Sequence, residues 1–299
     1  MIEAPIAYFV FNRPAATRQV LASIRALRPA HLIIIADGPR TGHPGEAETV
    51  ALVRKLVEDG IDWPCQVERI YSETNLGCRV RLNSGLNEVF ARVDAAIVLE
   101  DDCVPEATFF PYCATLLKRY RDEPRIGAIS GDNFQRGRRT TPYSYYFSRY
   151  PHSWGWATWR RAWQEHDVAM RQWPELREQR WLERTLTNPA EQAYWRSIFD
   201  ATHAGLIDTW DYQWTFSCWV HKWLTILPTV NLVSNIGFGA DATHTTRKHP
   251  ASRMATKPLP FPLIHPLEIE RDSLADDFTF RHHYAAPPLW RRAWRKFFG

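Results

Sequence analysis

A chain of 299 residues can bury a large core and needs neither disulfides nor a structural metal to fold. Its 37 basic against 33 acidic residues leave a formal charge of +4, too mild a bias to imply a nucleic-acid partner. The five cysteines (Cys65, Cys78, Cys103, Cys113 and Cys218) form no CxxC pair, which argues against a zinc site or a disulfide framework and fits a reducing cytoplasm.

The opening MIEAPIAYFVFNRP has no basic n-region and no small-residue cleavage site, so residues 6–11 are expected as a first strand rather than a signal. Val20, Leu21, Ile24 and Leu27 then share one helical face. HLIIIAD (31–37) reads as a buried strand, and a second helix is expected near 46–58 after a polar Gly/Pro loop. QVERIY is a shorter strand, the later half of NLGCRVRLNSGLNEVFARV is helical, and AAIVLEDD is the next strand. Strands alternating with helices up to about residue 130 predict a parallel sheet covered on both faces, with ligands beyond the carboxyl ends of its strands.

After residue 130 the texture turns tryptophan-rich, with SYYFSRYPHSWGWATWRRAW (144–163), helical stretches near 175–186 and 190–203, DTWDYQW (208–214), and possible strands LTIL and VNLV. Most of the 14 tryptophans are expected in the core. Trp154 and Trp156 flank a loop glycine, where flat rings can also stack on a sugar. The proline-rich KPLPFPLIHP (257–266) is expected to wrap the domain as an extended segment rather than to build a second one. Over 289–298, Trp290, Ala293, Trp294 and Phe297 fall on one helical face, and Arg291, Arg292, Arg295 and Lys296 largely on the other. That pattern suits an anionic membrane surface or a helix docked on its own domain. No window approaches the roughly 20 apolar residues that cross a bilayer, so any membrane contact is expected to be peripheral.

The stretch IVLEDDCVP (97–105) raises a chemical question, because its apolar run ends at three adjacent carboxylates. In an extended backbone Glu100 and Asp102 point the same way, and their repulsion costs stability unless a cation sits between them. A solvated acidic turn is the plain alternative. An oxygen-rich cluster suits Mg²⁺ or Mn²⁺, and its place at a strand end, shared with Asp37, favours that reading.

A strand ending in ADGP, an NLG segment, VLEDD before a phenylalanine-rich helix, and then WGWATW, TWDYQW and NIGFGADATHT together resemble GT-A fold nucleotide-sugar glycosyltransferases. The acidic triplet is similar to that of N-acetylglucosaminyltransferase I, and the overall arrangement is similar to bacterial family 2 type enzymes. The resemblance runs over roughly residues 4–247. It implies an α/β fold with a Rossmann-like, mostly parallel sheet flanked by helices, in a catalytic domain over 1–256. The nucleotide-binding half would be 1–130 and a Trp-rich acceptor half 131–256, followed by the extension and amphipathic helix over 257–299.

The same resemblance implies roles residue by residue. Asp102, with Glu100 and His244, would hold Mn²⁺ or Mg²⁺ against the donor's diphosphate, and Asp101 would contact the ribose or donor sugar. Asp37 would contact the nucleoside, which Phe11, Asn12 and Arg13 would border. Arg79 and Arg81 fall near the base or diphosphate, and Trp154 and Trp156 on the acceptor side. The family's WDD is WDY here, leaving Asp211 as the candidate base and Asp208 as an off-register rival. The implied reaction moves a sugar from a nucleoside-diphosphate sugar to a hydroxyl of a glycan or lipid-linked acceptor, in cell-surface polysaccharide synthesis. One base suffices for inversion, and no second carboxylate is placed as a nucleophile. A cytoplasmic protein is expected, peripheral at the inner face of the membrane if the basic helix binds there. Two other classes compete. A sugar-nucleotide nucleotidyltransferase would carry a glycine-rich loop after the first strand, where FNRPAATRQV has no glycine, and a non-catalytic carbohydrate-binding protein would leave the adjacent carboxylates unexplained.

Overall fold

The protein is described by a computed structural model over residues 3–138, 141–238 and 253–285. Its first half alternates as expected, through Ile6–Val10 (β1), Pro14–Leu27 (α1), His31–Ala36 (β2), Glu46–Asp59 (α2), Gln66–Tyr71 (β3), Cys78–Arg92 (α3) and Ala95–Glu100 (β4). Cys103–Pro105 (β5), Phe109–Arg119 (α4) and Ile126–Ser130 (β6) follow. The second half contains Tyr145–Ser148 (β7), Trp156–Trp159 (β8), Arg160–Trp163 (α5), Trp173–Glu178 (α6), Trp181–Thr185 (α7), Pro189–His203 (α8), Asp211–Val220 (α9), Leu224–Pro228 (β9) and Val233–Asn235 (β10). Ser273–Thr279 (α10) closes the described chain and runs into a π-helical turn over Phe280–Tyr284.

Eight strands make one sheet in the order β3-β2-β1-β4-β8-β6-β9-β7, drawing on both halves of the sequence. The first four are parallel, β8 runs against β4 and β6, and β9 is parallel to β6. This is a mixed, Rossmann-like α/β fold. β1 shows why the strands read as unbroken apolar runs: Ile6, Tyr8 and Val10 enter the core built with α1, α2 and α4, while Ala7 and Phe9 enter the core built with α3 and the tryptophan-rich helices. α1 starts with Pro14, whose fixed φ suits a first turn. It buries Val20, Leu21 and Ile24, and it ends at left-handed Arg28 (φ 53°), whose N–H returns to the Ile24 carbonyl at 3.0 Å.

The differences from the sequence reading are local. The helix expected near 175–186 is two short ones, broken at left-handed Arg180 (φ 53°). The helical part of the NLG segment begins at Cys78, directly after Gly77 at φ 79°. DTWDYQW contains the start of α9, and β5 pairs with β10 as a two-stranded antiparallel ribbon. Three-residue strands are too short to show a period. The 257–266 segment does wrap the fold: Leu259 and Leu263 are buried, and Ile264 exchanges backbone and side-chain hydrogen bonds with Ser144 beside the edge strand β7. Farther on, Gln135 ties down α10 through the Ala275 carbonyl at 2.9 Å and the Thr279 hydroxyl at 2.8 Å. The basic stretch 289–298 lies outside the described residues. No helix among the described residues is long and apolar enough to cross a membrane.

His166 shows how the tryptophan-rich core constrains charge. Its ring packs 4.6 Å from Trp163 and 5.5 Å from Trp214 between centroids. The Ser217 hydroxyl gives its proton to the Gln213 carbonyl, so at 3.1 Å it accepts from His166 Nδ1–H, and the buried Nε2 is left bare with no acceptor beside it. Burial holds the imidazole down to about 4, against an ordinary 6.5. The unfolded chain therefore binds the extra proton between these values, and stability present above pH 6.5 is lost as the pH falls toward 4. Urea unfolding should show wild type losing about 3 kcal/mol more than His166→Phe between pH 7 and 4. Parallel pH profiles for the two proteins would contradict this burial.

Candidate active site

The parallel strands end flush. Phe9 pairs with Glu100 and Val10 with Ala36, so the loops after β1, β2 and β4 emerge side by side at the carboxyl edge. Arg13 crosses from the first loop to the acids of the third. Its Nη2 lies 2.7 Å from Asp101 Oδ1 and its Nη1 2.8 Å from Asp102 Oδ2, while its Nε is buried without a partner. Burial alone would lower this guanidinium's pKa, and the two carboxylates outweigh burial and raise it. Asp101 is 2% exposed, and its second oxygen has no partner.

Three carboxylates share this one guanidinium. Burial, and next the charge of Asp102, push the Glu100 carboxyl above its usual range, against the pull of Arg13. Asp101 is likewise raised by burial, with Arg13 opposing. The cluster is therefore short of positive charge, and its hard oxygen donors are of the type that suits a divalent cation. Among the described residues no group of three or more His, Cys, Asp or Glu side chains is arranged to hold a metal alone, so such an ion needs further ligands, as Mg²⁺ does when it keeps waters and substrate phosphates. His244 lies outside the described residues.

A ribbon roofs the acids. Asn235 pairs with Cys103, the Ile236 N–H donates to the Asp102 carbonyl at 2.9 Å, and Gly237 lies against the Asp102 side chain. A Cβ at Gly237 would stand 1.9 Å from Asp102 Oδ2, so only glycine allows this approach. Beyond it, Phe238 meets half-buried Trp154 edge to face at 5.6 Å, and Trp154 in turn packs on Phe134 at 5.2 Å. Trp154 is thus a half-buried ring packed between Phe134 and Phe238, the residue that follows Gly237. Trp156 is placed differently: it is 1% exposed and stacked 5.3 Å from Trp210, a core residue rather than an open platform. Two residues farther along, the chain has entered β8, and its side chain points into the helical layer.

Asp211 opens α9. Its Oδ1 accepts from the Thr209 hydroxyl and from the Tyr212 N–H, which orients the carboxylate. Its charge reaches Glu100, and Cys78, at the start of α3, feels Glu100, Asp211, Asp208 and Arg13 together. The acidic cluster and the candidate base therefore share one electrostatic neighbourhood. Asp208 pairs loosely with Arg79 at 3.7 Å, with 60% of its side chain exposed. Arg81 is buried and donates to the Ile70 carbonyl at 3.1 Å.

Asp37 is a latch. Its Oδ1 accepts from the N–H groups of Gly38 and Leu76, both at 2.9 Å, and its Oδ2 from the Asn75 amide at 3.0 Å and the Gly77 N–H at 3.1 Å. This holds the NLG segment against the end of β2. Gly38 belongs to the same device, since a Cβ there would meet the Thr74 backbone at 2.5 Å. The sequence does not mark Glu46, which is buried, accepts from Arg40 and, at 2.9 Å, from the Asn12 amide, and is held down to about 2, chiefly by its hydrogen bonds from Arg40. The Arg40 guanidinium in turn lies 5.7 Å over the Phe11 ring. An acid one residue inside a helix carries no signal of such a partnership.

No protein-family model matches the chain, and no curated protein matches it. Among solved structures it is similar to 4-diphosphocytidyl-2C-methyl-D-erythritol synthase of Anaerococcus prevotii, at 6% identity and a TM-score of 0.32 over 53% of this chain and 72% of that one. It is also similar to HddC of Yersinia pseudotuberculosis, at 10% identity and a TM-score of 0.30 over 52% and 77% of the two chains. A third likeness is to a UDP-glucose pyrophosphorylase solved with UDP-glucose, at 11% identity and a TM-score of 0.27 over 51% and 64%. The α/β assignment rests on the sheet order and connections described above.

Proposed function

We propose that the chain is a metal-dependent glycosyltransferase of GT-A type, moving a sugar from a nucleoside-diphosphate sugar to an acceptor hydroxyl with inversion. The observation that carries the reading is the acidic triplet at the end of β4, short of positive charge and within the field of Asp211. Asp102 and Glu100 would hold Mn²⁺ or Mg²⁺, which when bound supplies Lewis-acid neutralisation of the charge developing on the leaving diphosphate. Arg13 adds a guanidinium beside the same oxygens. Asp211 takes the proton of the acceptor hydroxyl as that oxygen attacks the anomeric carbon, and the contacts of its Oδ1 hold it in one orientation for this. Asp37 positions the NLG segment rather than spending its oxygens on a nucleoside, and Trp154 offers its ring to the acceptor. The acceptor is a glycan or a lipid-linked sugar, and the basic stretch 289–298 would bring the enzyme to an anionic membrane surface.

A panel of nucleotide sugars, screened by thermal shift with and without Mn²⁺, tests this reading. At least one should raise the melting temperature only when Mn²⁺ is present. Stabilisation by no sugar nucleotide under either condition would remove its basis.

A further inference from the structure

Arg13 occupies the acidic site in a way that a residue merely bordering a nucleotide would not. Each terminal nitrogen of its guanidinium serves a different carboxylate, 2.7 Å from Asp101 and 2.8 Å from Asp102, with the side chain 20% exposed. Its backbone is fixed from behind, because the Arg13 carbonyl accepts from the Thr17 N–H at 2.9 Å and from the Thr17 hydroxyl at 2.8 Å. Pro14 follows at once and starts α1. The side chain is therefore the movable part of a rigid mount. Gly237 closes the other side, where a Cβ would come within 3.0 Å of Arg13 Nη1.

We propose that Arg13 is a tethered counter-cation, holding Asp101 and Asp102 until a nucleoside diphosphate and a divalent ion arrive together, and then passing its guanidinium to a phosphate oxygen. This rests on the functional reading above and adds a coupling between two ligands. A metal that takes Asp102 from Arg13 leaves the guanidinium with Asp101 alone and beside a second cation, which is costly unless another anion receives it. A diphosphate is such an anion, and the planar fork of arginine suits it. Conversely, a diphosphate entering the metal-free cluster meets three acids. Each ligand removes the obstacle to the other, so the two bind with positive cooperativity, and the coupling is reciprocal.

The test measures Mn²⁺ binding to the full chain by loss of the free-ion EPR signal, alone and with UDP, GDP, ADP, CDP or dTDP. Wild type should bind Mn²⁺ alone weakly, and about tenfold or more tightly with the matching diphosphate. Arg13→Gln frees both carboxylates, so it should bind Mn²⁺ alone about tenfold more tightly than wild type and lose most of the coupling. Arg13→Lys keeps the charge but cannot bridge both acids, and it should fall between the two. It also carries the test if Arg13→Gln does not fold, as judged by circular dichroism. Folded variants that bind Mn²⁺ alone no more tightly than wild type would overturn the proposal. That comparison uses no nucleotide, so it decides the role of Arg13 separately from the functional reading, which fails if no diphosphate binds wild type with Mn²⁺.

Discussion

On the proposed reading, Asp102→Ala is expected to cut sugar transfer by about 10³-fold or more, because it removes the carboxylate that pairs with Arg13 and would hold the metal. The Mn²⁺-dependent thermal stabilisation by a nucleoside diphosphate should disappear with it. The change leaves Arg13 with its Asp101 partner, which should spare the fold even though only 14% of the Asp102 side chain is open. A variant that keeps wild-type metal dependence would take the acidic triplet out of the metal site.

The second large effect concerns Asp211. Asp211→Asn preserves the side-chain shape and the contacts with Thr209 and Tyr212 but cannot accept a proton, so turnover should fall about 10²-fold or more with donor binding nearly intact. Asp208 is the rival, and the two differ in setting. Asp208 lies open to solvent beside Arg79, whereas the charge of Asp211 is felt at Glu100 itself. Near-normal turnover in Asp211→Asn together with a loss in Asp208→Asn would transfer the role.

Much of the frame was legible because its signals are local. β1, β2 and β4 are apolar on both faces, the spacing of Val20, Leu21 and Ile24 marks a helix, and the acids stand where a buried strand ends. Partnerships across the chain were not legible. Nothing near Arg13 announces that its guanidinium will rest on acids 88 and 89 residues away, and the four donors that fill Asp37 come mostly from a loop 38 to 40 residues on. The pairing of β5 with β10, which roofs the acids with Gly237, joins two three-residue strands that have no pattern of their own. Trp154 and Trp156 read alike as loop aromatics, and only the start of β8 separates the half-buried ring against Phe238 from the ring in the core. Local periodicity sets elements, while the site is made by which element ends meet.

On the proposed reading, this edge cleaves the bond between a sugar and a nucleoside diphosphate. The most direct measurement is ³¹P NMR of the full chain with a stabilising sugar nucleotide, Mg²⁺ and an acceptor glycan panel. The two diphosphate resonances of the donor should give way to those of the free nucleoside diphosphate, and Asp102→Ala should stop the conversion. A donor that stays intact across the panel would contradict it, as would conversion with pyrophosphate to a sugar phosphate and a nucleoside triphosphate, the signature of nucleotidyl rather than glycosyl transfer.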